Sequence, residues 1–204
     1  MNVAATSFNA EAVASARTIQ SEAETQCGGL IDWSIAQAAH VLYCFDVLAS
    51  HFDGHEPARA PFGSLVACPL FVTWKKSAPL EAHHGGVAQH LQLRGCIGCL
   101  KPLPLTSLRD YALNSALHDR RFPPLRASEL PDLHCTVQLL DRFEPCASLD
   151  WEIGVHGVTI NFVDSQGTAR SAVYLPDVMP EQGWNHSQVR KRTCWSHPSS
   201  RAPA

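Results

Sequence analysis

Two short alternating runs joined by a tight turn constrain the fold more than any other feature of the chain. In "VTINFV" and "TARSAVYL" apolar and polar residues alternate, which is typical of half-buried strands. The intervening Asp164-Ser165-Gln166-Gly167 is a good hairpin turn. Because a short turn joins antiparallel strands, the chain is predicted to contain antiparallel sheet.

Helical periodicity occurs in the same chain. In "IDWSIAQAAHVLYCFDVLAS" apolar residues recur at alternating steps of four and three, at Ile31, Ile35, Ala38, Leu42, Phe45 and Ala49. His40 and Cys44 fall on or beside this face, where packing explains them better than chemistry does. A second helix is predicted after Ser107, and "PLFVTW" and "LHCTVQLL" are predicted strands. The expected class is α+β, a mixed or antiparallel sheet with flanking helices.

Composition excludes several classes of function. The chain has 204 residues, of which 45% are hydrophobic, and its net charge is −3. This charge does not favour binding to nucleic acid, although a local basic patch is compatible with it. No apolar run is long enough to cross a membrane, and the first residues lack the basic flank and apolar core of a secretory signal. We therefore expect a cytoplasmic or nuclear protein, or one in both places. In a reducing compartment its eight cysteines are expected to be free thiols.

The segment "LQLRGCIGCL" admits several interpretations. Cys96 and Cys99 have half of a zinc-ribbon spacing, or the spacing of a redox pair. Alternatively, Arg94 polarises the Cys96 thiol or binds an anion, while Gly95 and Gly98 let a ligand approach the backbone. In a purely structural interpretation, Arg94 pairs with a carboxylate and the glycines suit a tight bend. The segment itself is predicted to be a strand end or a turn.

The segment "LRGCIG" (93–98) also resembles the hallmark of the AMMECR domain family. Further family-like segments follow one another in order over about residues 33–186: "CFDVL", "PLFVTWKK", "LRDYALNSALHDRRFPPL", "ELPDLHCTVQLL", "LDWEIGVHGVTINF", "YLPDV" and "EQGW". The resemblance implies an α+β fold of two lobes around a cleft that the "LRGCIG" segment borders. It also implies a site that uses residues from three of these segments.

Carried onto this chain, the implied site has catalytic candidates and ligand-binding candidates. The catalytic candidates are Cys96, His118 and His156, with either histidine as the base that a thiol nucleophile needs. The ligand-binding candidates are Arg94, Gly95, Gly98, Asp119, Arg121, Trp151 and Glu152. The function favoured is binding of a small anionic or nucleotide-like ligand, or of a protein partner. The alternative is an enzyme that uses Cys96 as a polarised nucleophile.

The sequence also predicts domain boundaries and shows differences from the family pattern. Residues 1–28 are expected to be a disordered tail, 29–186 the AMMECR-like domain, and 187–204 a disordered basic tail. Relatives continue with a further helix and closing segment, so the C-terminal part of the family domain is expected to be missing here. Cys99 replaces a small hydroxyl residue of the family, which makes the second cysteine incidental. No cofactor and no metal are predicted, because His83, His84 and His90 lie in a loop without a fixed fourth ligand.

Overall fold

The computed structural model describes residues 2–9, 38–62, 67–78, 90–141, 143–147, 150–164 and 166–189. The chain divides into two compact units. The large unit is Ala4–Leu140, and the small unit is Asp141–Ala204 together with Met1–Val3.

A four-stranded sheet organises the large unit. Its strands are β1 (Asn2–Asn9), β2 (Ala67–Ala78), β3 (His90–Pro104) and β4 (Leu133–Asp141), apart from residues 2–3 and 141, which are counted with the small unit. They lie in the order β1-β4-β2-β3, and β2 is antiparallel to both β3 and β4. The long strand β3 therefore forms one edge of this sheet.

Helices cover the apolar face of the sheet. Helix α1 (Ala38–Asp53) buries more than the predicted apolar stripe, since His40 and Cys44 are also completely buried. Helix α2 (Leu108–Leu117) buries Leu108 and Ala112, and the indole Nε1 of Trp74 on β2 donates a 3.0 Å hydrogen bond to the Ala112 carbonyl. An indole N–H buried in the core needs such a partner, so this bond fixes α2 on the sheet.

The small unit is built on the predicted hairpin. Strands β5 (Val158–Val163) and β6 (Ala169–Tyr174) pair in antiparallel register. Gly167 has a φ of +79°, a conformation that glycine adopts without strain. A short helix α3 (Val178–Gln182) follows, and Val158, Met179 and Val189 form the buried core.

The expected α+β class with antiparallel sheet and flanking helices is confirmed. Strand β1 lies within the segment 1–28 that the sequence predicts to be a tail, and its "VAATSF" run carries β-branched and aromatic residues that suit a strand. Val189 is fully buried although it lies in the predicted tail 187–204. The predicted first turn of α1 at 31–37, and His83 and His84, lie outside the described residues. No helix in the described ranges is long and apolar enough to cross a membrane.

Candidate functional site

The "LRGCIG" segment lies inside β3, which corrects the prediction of a strand end or turn. Trp74 on β2 pairs with Gly95 and Lys75 pairs with Leu93, so Arg94 is the extra residue of a β-bulge. A bulge changes the direction of the side chain it carries and increases the local twist. The sequence does not reveal the bulge, because Gly95 reads equally well as a turn residue.

Arg94 pairs with a carboxylate. Its Nε and Nη2 donate 3.0 Å hydrogen bonds to the two carboxylate oxygens of Glu129, and its Nη1 donates to the Pro123 carbonyl at 3.3 Å. Both side chains of the pair are about 15% exposed or less, and this two-pronged geometry is the strong form of such a pair. The hydrogen bond from Arg94 lowers the pKa of Glu129. Arg94 thus joins β3 to the 3₁₀ turn over Ala127–Asp132.

Cys96 is held by three neighbours. Its thiol accepts a hydrogen bond from the Thr73 hydroxyl at 3.1 Å. Its backbone N–H donates to Asp119 Oδ2 at 2.9 Å, and its carbonyl accepts from Arg121 Nη2 at 3.0 Å. The Asp119–Arg121 pair therefore satisfies both backbone groups of Cys96 on the outer edge of β3, as a neighbouring strand would.

Asp119 and Arg121 form a close ion pair after α2. Asp119 Oδ1 accepts from the Arg121 backbone N–H at 3.1 Å and from its Nε at 3.0 Å, and Oδ2 lies 2.6 Å from Nη2. The hydrogen bond from Arg121, with further bonds from the Cys96 and Arg121 backbones, lowers the pKa of Asp119 to about 2 despite burial. The Asp119 hydrogen bond likewise raises the pKa of Arg121, and Cys96 contributes in the same direction. Asp119 is buried, whereas 57% of the Arg121 side chain is exposed.

The two motif glycines allow close packing. A Cβ on Gly95 would lie 1.8 Å from the Ser115 carbonyl oxygen of α2, and one on Gly98 would lie 2.2 Å from the Phe71 ring. No side chain fits at either position without movement of its neighbours. Close packing therefore explains the presence of glycine at both positions without a ligand.

The remaining residues of the segment face different ways. Cys96 pairs with Thr73 and Cys99 pairs with Leu70, so the two thiols project from opposite faces of the sheet. This arrangement disfavours both a zinc half-site and a redox pair made from Cys96 and Cys99. His118 ends α2, where its backbone N–H donates to the Asn114 carbonyl, and its side chain is exposed.

Trp151, Glu152 and His156 belong to the small unit. The Glu152 backbone N–H donates to His156 Nδ1 at 3.0 Å. His186 Nε2 lies 3.0 Å from the Trp151 carbonyl oxygen, and its ring centroid lies 4.3 Å from the indole. Trp151 and His156 line a cavity of about 490 Å³ within this unit. The predicted site residues thus form two groups, one in each unit.

Sequence reasoning missed several polar residues that complete these groups. Thr73 bonds the Cys96 thiol, and Glu129 bonds Arg94. On the same sheet face as Thr73, Ser77 Oγ lies 3.1 Å from His134 Nε2, and burial lowers the pKa of His134. A polar residue inside an apolar strand, such as Thr73 in "PLFVTW", is the sequence feature that could have indicated these contacts. Within the described ranges, no group of three or more His, Cys, Asp or Glu residues could hold a metal ion.

The comparisons with known proteins identify relatives along most of the chain. An uncharacterised protein of Arabidopsis thaliana is 48% identical over 146 residues, which span 70% of this chain and 64% of that protein. An uncharacterised protein of Schizosaccharomyces pombe is 38% identical over 150 residues, which span 72% of this chain and 73% of the relative. This chain therefore spans less than two thirds of the Arabidopsis relative.

A solved structure and a family model agree with these matches. The crystal structure of an uncharacterised protein from Pyrococcus horikoshii matches with a TM-score of 0.62 and 25% identity, covering 80% of this chain and 81% of that one. The AMMECR1 family model matches residues 41–198, so the match extends beyond residue 186 into the segment predicted as a tail. The chain belongs to the AMMECR1 family.

Proposed function

We propose that the large unit binds a small anionic ligand beside Cys96, and that Arg121 rather than Arg94 contacts it. The observation that carries this proposal is the position of Arg121. Its side chain is 57% exposed, while its Nε and Nη2 are held by Asp119 and by the Cys96 carbonyl. An arginine fixed at one edge and exposed at the other presents its remaining N–H groups to an anion at little entropic cost.

The charge around Arg121 supports the same ligand class. The loop from His118 to Arg126 contains three arginines and one aspartate, and Arg120, Arg121 and Arg126 are all exposed. The single aspartate is Asp119, which is already paired. The loop therefore adds positive charge beside β3 in a chain whose net charge is negative.

Arg94 has a different role in this proposal. Its three donor nitrogens bond Glu129 and the Pro123 carbonyl, and its side chain is 14% exposed. An anion at Arg94 would have to replace Glu129 and leave a carboxylate without its main partner, which is costly. Arg94 holds the 3₁₀ turn in place, and Arg121 contacts the anion.

A second candidate function uses Cys96 as a nucleophile. The observation that favours it is the hydrogen bond that the Thr73 hydroxyl donates to the thiol sulfur at 3.1 Å. Such a bond, together with the nearby Arg121, stabilises a thiolate over a thiol. Of the histidines predicted as bases, His118 belongs to the large unit and His156 to the small unit. The nucleophile hypothesis predicts that Thr73→Val slows alkylation of Cys96 at neutral pH.

The anion proposal is tested by comparing two reagents of equal size at one thiol. Folded protein is treated with iodoacetate, which is anionic, or iodoacetamide, which is neutral, and the rates at Cys96 and Cys99 are measured by mass spectrometry. Anion binding raises the iodoacetate-to-iodoacetamide ratio at Cys96 above that at Cys99, and inorganic phosphate suppresses the excess. We expect Arg121→Gln to lower the Cys96 ratio by about threefold to tenfold.

Arg120→Gln is the matched control, since it removes the same charge from the next residue of an exposed loop. The proposal fails if the two variants lower the ratio equally, because the effect is then general attraction. It also fails if Cys96 and Cys99 show the same ratio in the wild-type protein. If phosphate has no effect on any rate while a protein captured from solution protects Cys96, the surface is a site for a protein partner.

A further inference from the structure

The small unit contains a cavity whose charge differs from that of the Cys96 surface. Its volume of about 490 Å³ is within the range of small-molecule sites. The described residues that line it include two carboxylates, Glu144 and Asp150, and none of them is lysine or arginine. An anion is therefore a poor occupant, even though the family resemblance implies that Trp151 binds a ligand, with an anionic one favoured, and that His156 is a catalytic base.

Aromatic rings form part of the cavity wall. Phe143 and Trp151 both line it, and half of the Phe143 surface is exposed. The indole of Trp151 packs against the His186 ring at 4.3 Å, and the Trp151 carbonyl bonds that imidazole. The position of this wall is thus fixed by contacts inside the unit.

His156 is also held in place. Its Nδ1 accepts the Glu152 backbone N–H at 3.0 Å, which requires that Nδ1 carry no proton in this arrangement. This bond fixes the orientation of the imidazole at the cavity. Glu144 and Asp150 are the acidic residues among the described residues that line the cavity.

We infer that this cavity binds an organic cation, an alkylated ammonium group with a small apolar body. Aromatic faces attract a cation through their quadrupole, and alkylated ammonium groups are recognised in this way. Glu144 and Asp150 add Coulombic attraction, while Pro145 and Val158 give the alkyl groups an apolar contact. A metal ion does not fit, because the described residues offer no group of three or more suitable ligands.

The inference is independent of the anion proposal and is tested with choline and its neutral isostere, 3,3-dimethylbutan-1-ol. Each is titrated into the folded chain while the Trp151 indole N–H resonance, assigned with Trp151→Phe, is followed by NMR. We expect choline to bind about tenfold more tightly than the alcohol. Because Cys146 lines the cavity and is exposed, choline should also slow its alkylation by iodoacetamide without slowing that of Cys99.

Charge variants complete the test. Asp150→Asn and Glu144→Gln should each weaken choline binding by about threefold to tenfold. Glu181→Gln removes an exposed carboxylate of the same unit that does not line the cavity, and it should leave binding unchanged. Equal binding of the alcohol, equal loss in all three variants, or no saturable shift of Trp151 would each overturn the inference.

Discussion

The predicted site residues of the two units have different surroundings. In the large unit, Arg94 and Asp119 have their charged atoms occupied by other protein groups, and Arg121 is held along one edge. In the small unit, Trp151 and His156 instead line an open cavity of about 490 Å³. Residues that the sequence predicts equally as site residues thus include some that bond other parts of the fold and some that line a cavity.

The difference follows from the cores beneath these residues. The large unit packs two helices on a sheet around fully buried residues such as Trp74, Leu70 and Leu108. The small unit has a core cluster of Val158, Met179 and Val189. A larger core holds more of the surrounding backbone in fixed positions, which keeps paired polar groups aligned. Polar residues of the large unit should therefore matter more for stability.

The largest effect is expected from Gly95→Ala. The added Cβ would lie 1.8 Å from the Ser115 carbonyl oxygen, and a backbone atom of a packed helix cannot move away easily. We expect the free energy of unfolding of the large unit to fall by about 3 kcal/mol. Native-state hydrogen exchange on peptides from β2 and β3 measures the loss.

The same experiment also tests whether the two units differ in their response. Peptides from β5 and β6 report on the small unit in the same sample, and we expect them to lose less protection than β2 and β3. If Gly95→Ala leaves the exchange of β2 and β3 unchanged, α2 is not packed against β3 as described. The interpretation of the motif as a packing contact would then be wrong.

Much of the fold follows from the sequence, because periodicity reports burial directly. The hairpin over residues 158–174 is predicted from strict alternation and from Gly167. Helix α1 is predicted too, but its buried face is wider than the apolar stripe because His40 and Cys44 are small or neutral enough to be buried. Burial lowers the pKa of His40 to about 4, so the imidazole is neutral in the core at neutral pH.

The site is predictable only in part, because sequence separation hides distance. The Asp119–Arg121 pair is local and can be predicted from its spacing, whereas its bonds to Cys96 cannot. The sequence allows Arg94 to pair with a carboxylate, but it does not identify Glu129, which lies 35 positions away. The role of Thr73 is not predicted, because a threonine in a strand usually indicates β-propensity rather than a bond to a thiol.

Asp119→Asn should produce the next largest effect, and its size should depend on pH. The pKa of Asp119 is lowered from 3.8 to about 2 in the folded chain, so its stabilisation is fully present above pH 4. It is lost as the pH falls from about 4 through about 2, where the folded carboxylate takes up its proton. A shift of this size corresponds to about 2 kcal/mol. Urea unfolding at several pH values should show that difference near pH 6 and a much smaller one near pH 2.

Asp53→Asn provides the matched control for the pH effect. Asp53 is an exposed carboxylate at the end of α1 in the same unit, so its replacement should change the free energy of unfolding little. If Asp119→Asn and Asp53→Asn give the same pH profile, the ion pair beside Cys96 adds no specific stability. The stability of the large unit would then not depend on its paired polar groups more than that of the small unit does.

Gly167→Ala should produce the smallest of these effects, and it tests the small unit by the same change made at Gly95. Gly167 has a φ of +79°, but a Cβ there would meet no atom within 4 Å. The cost is therefore conformational rather than steric, and we expect about 1 kcal/mol, measured by hydrogen exchange on peptides from β5 and β6. The comparison between the units predicts that this loss is smaller than that of Gly95→Ala and confined to the hairpin.

If Gly167→Ala instead removes protection from β2 and β3 as strongly as Gly95→Ala does, the units unfold together. The contrast in how they use polar residues would then not extend to stability.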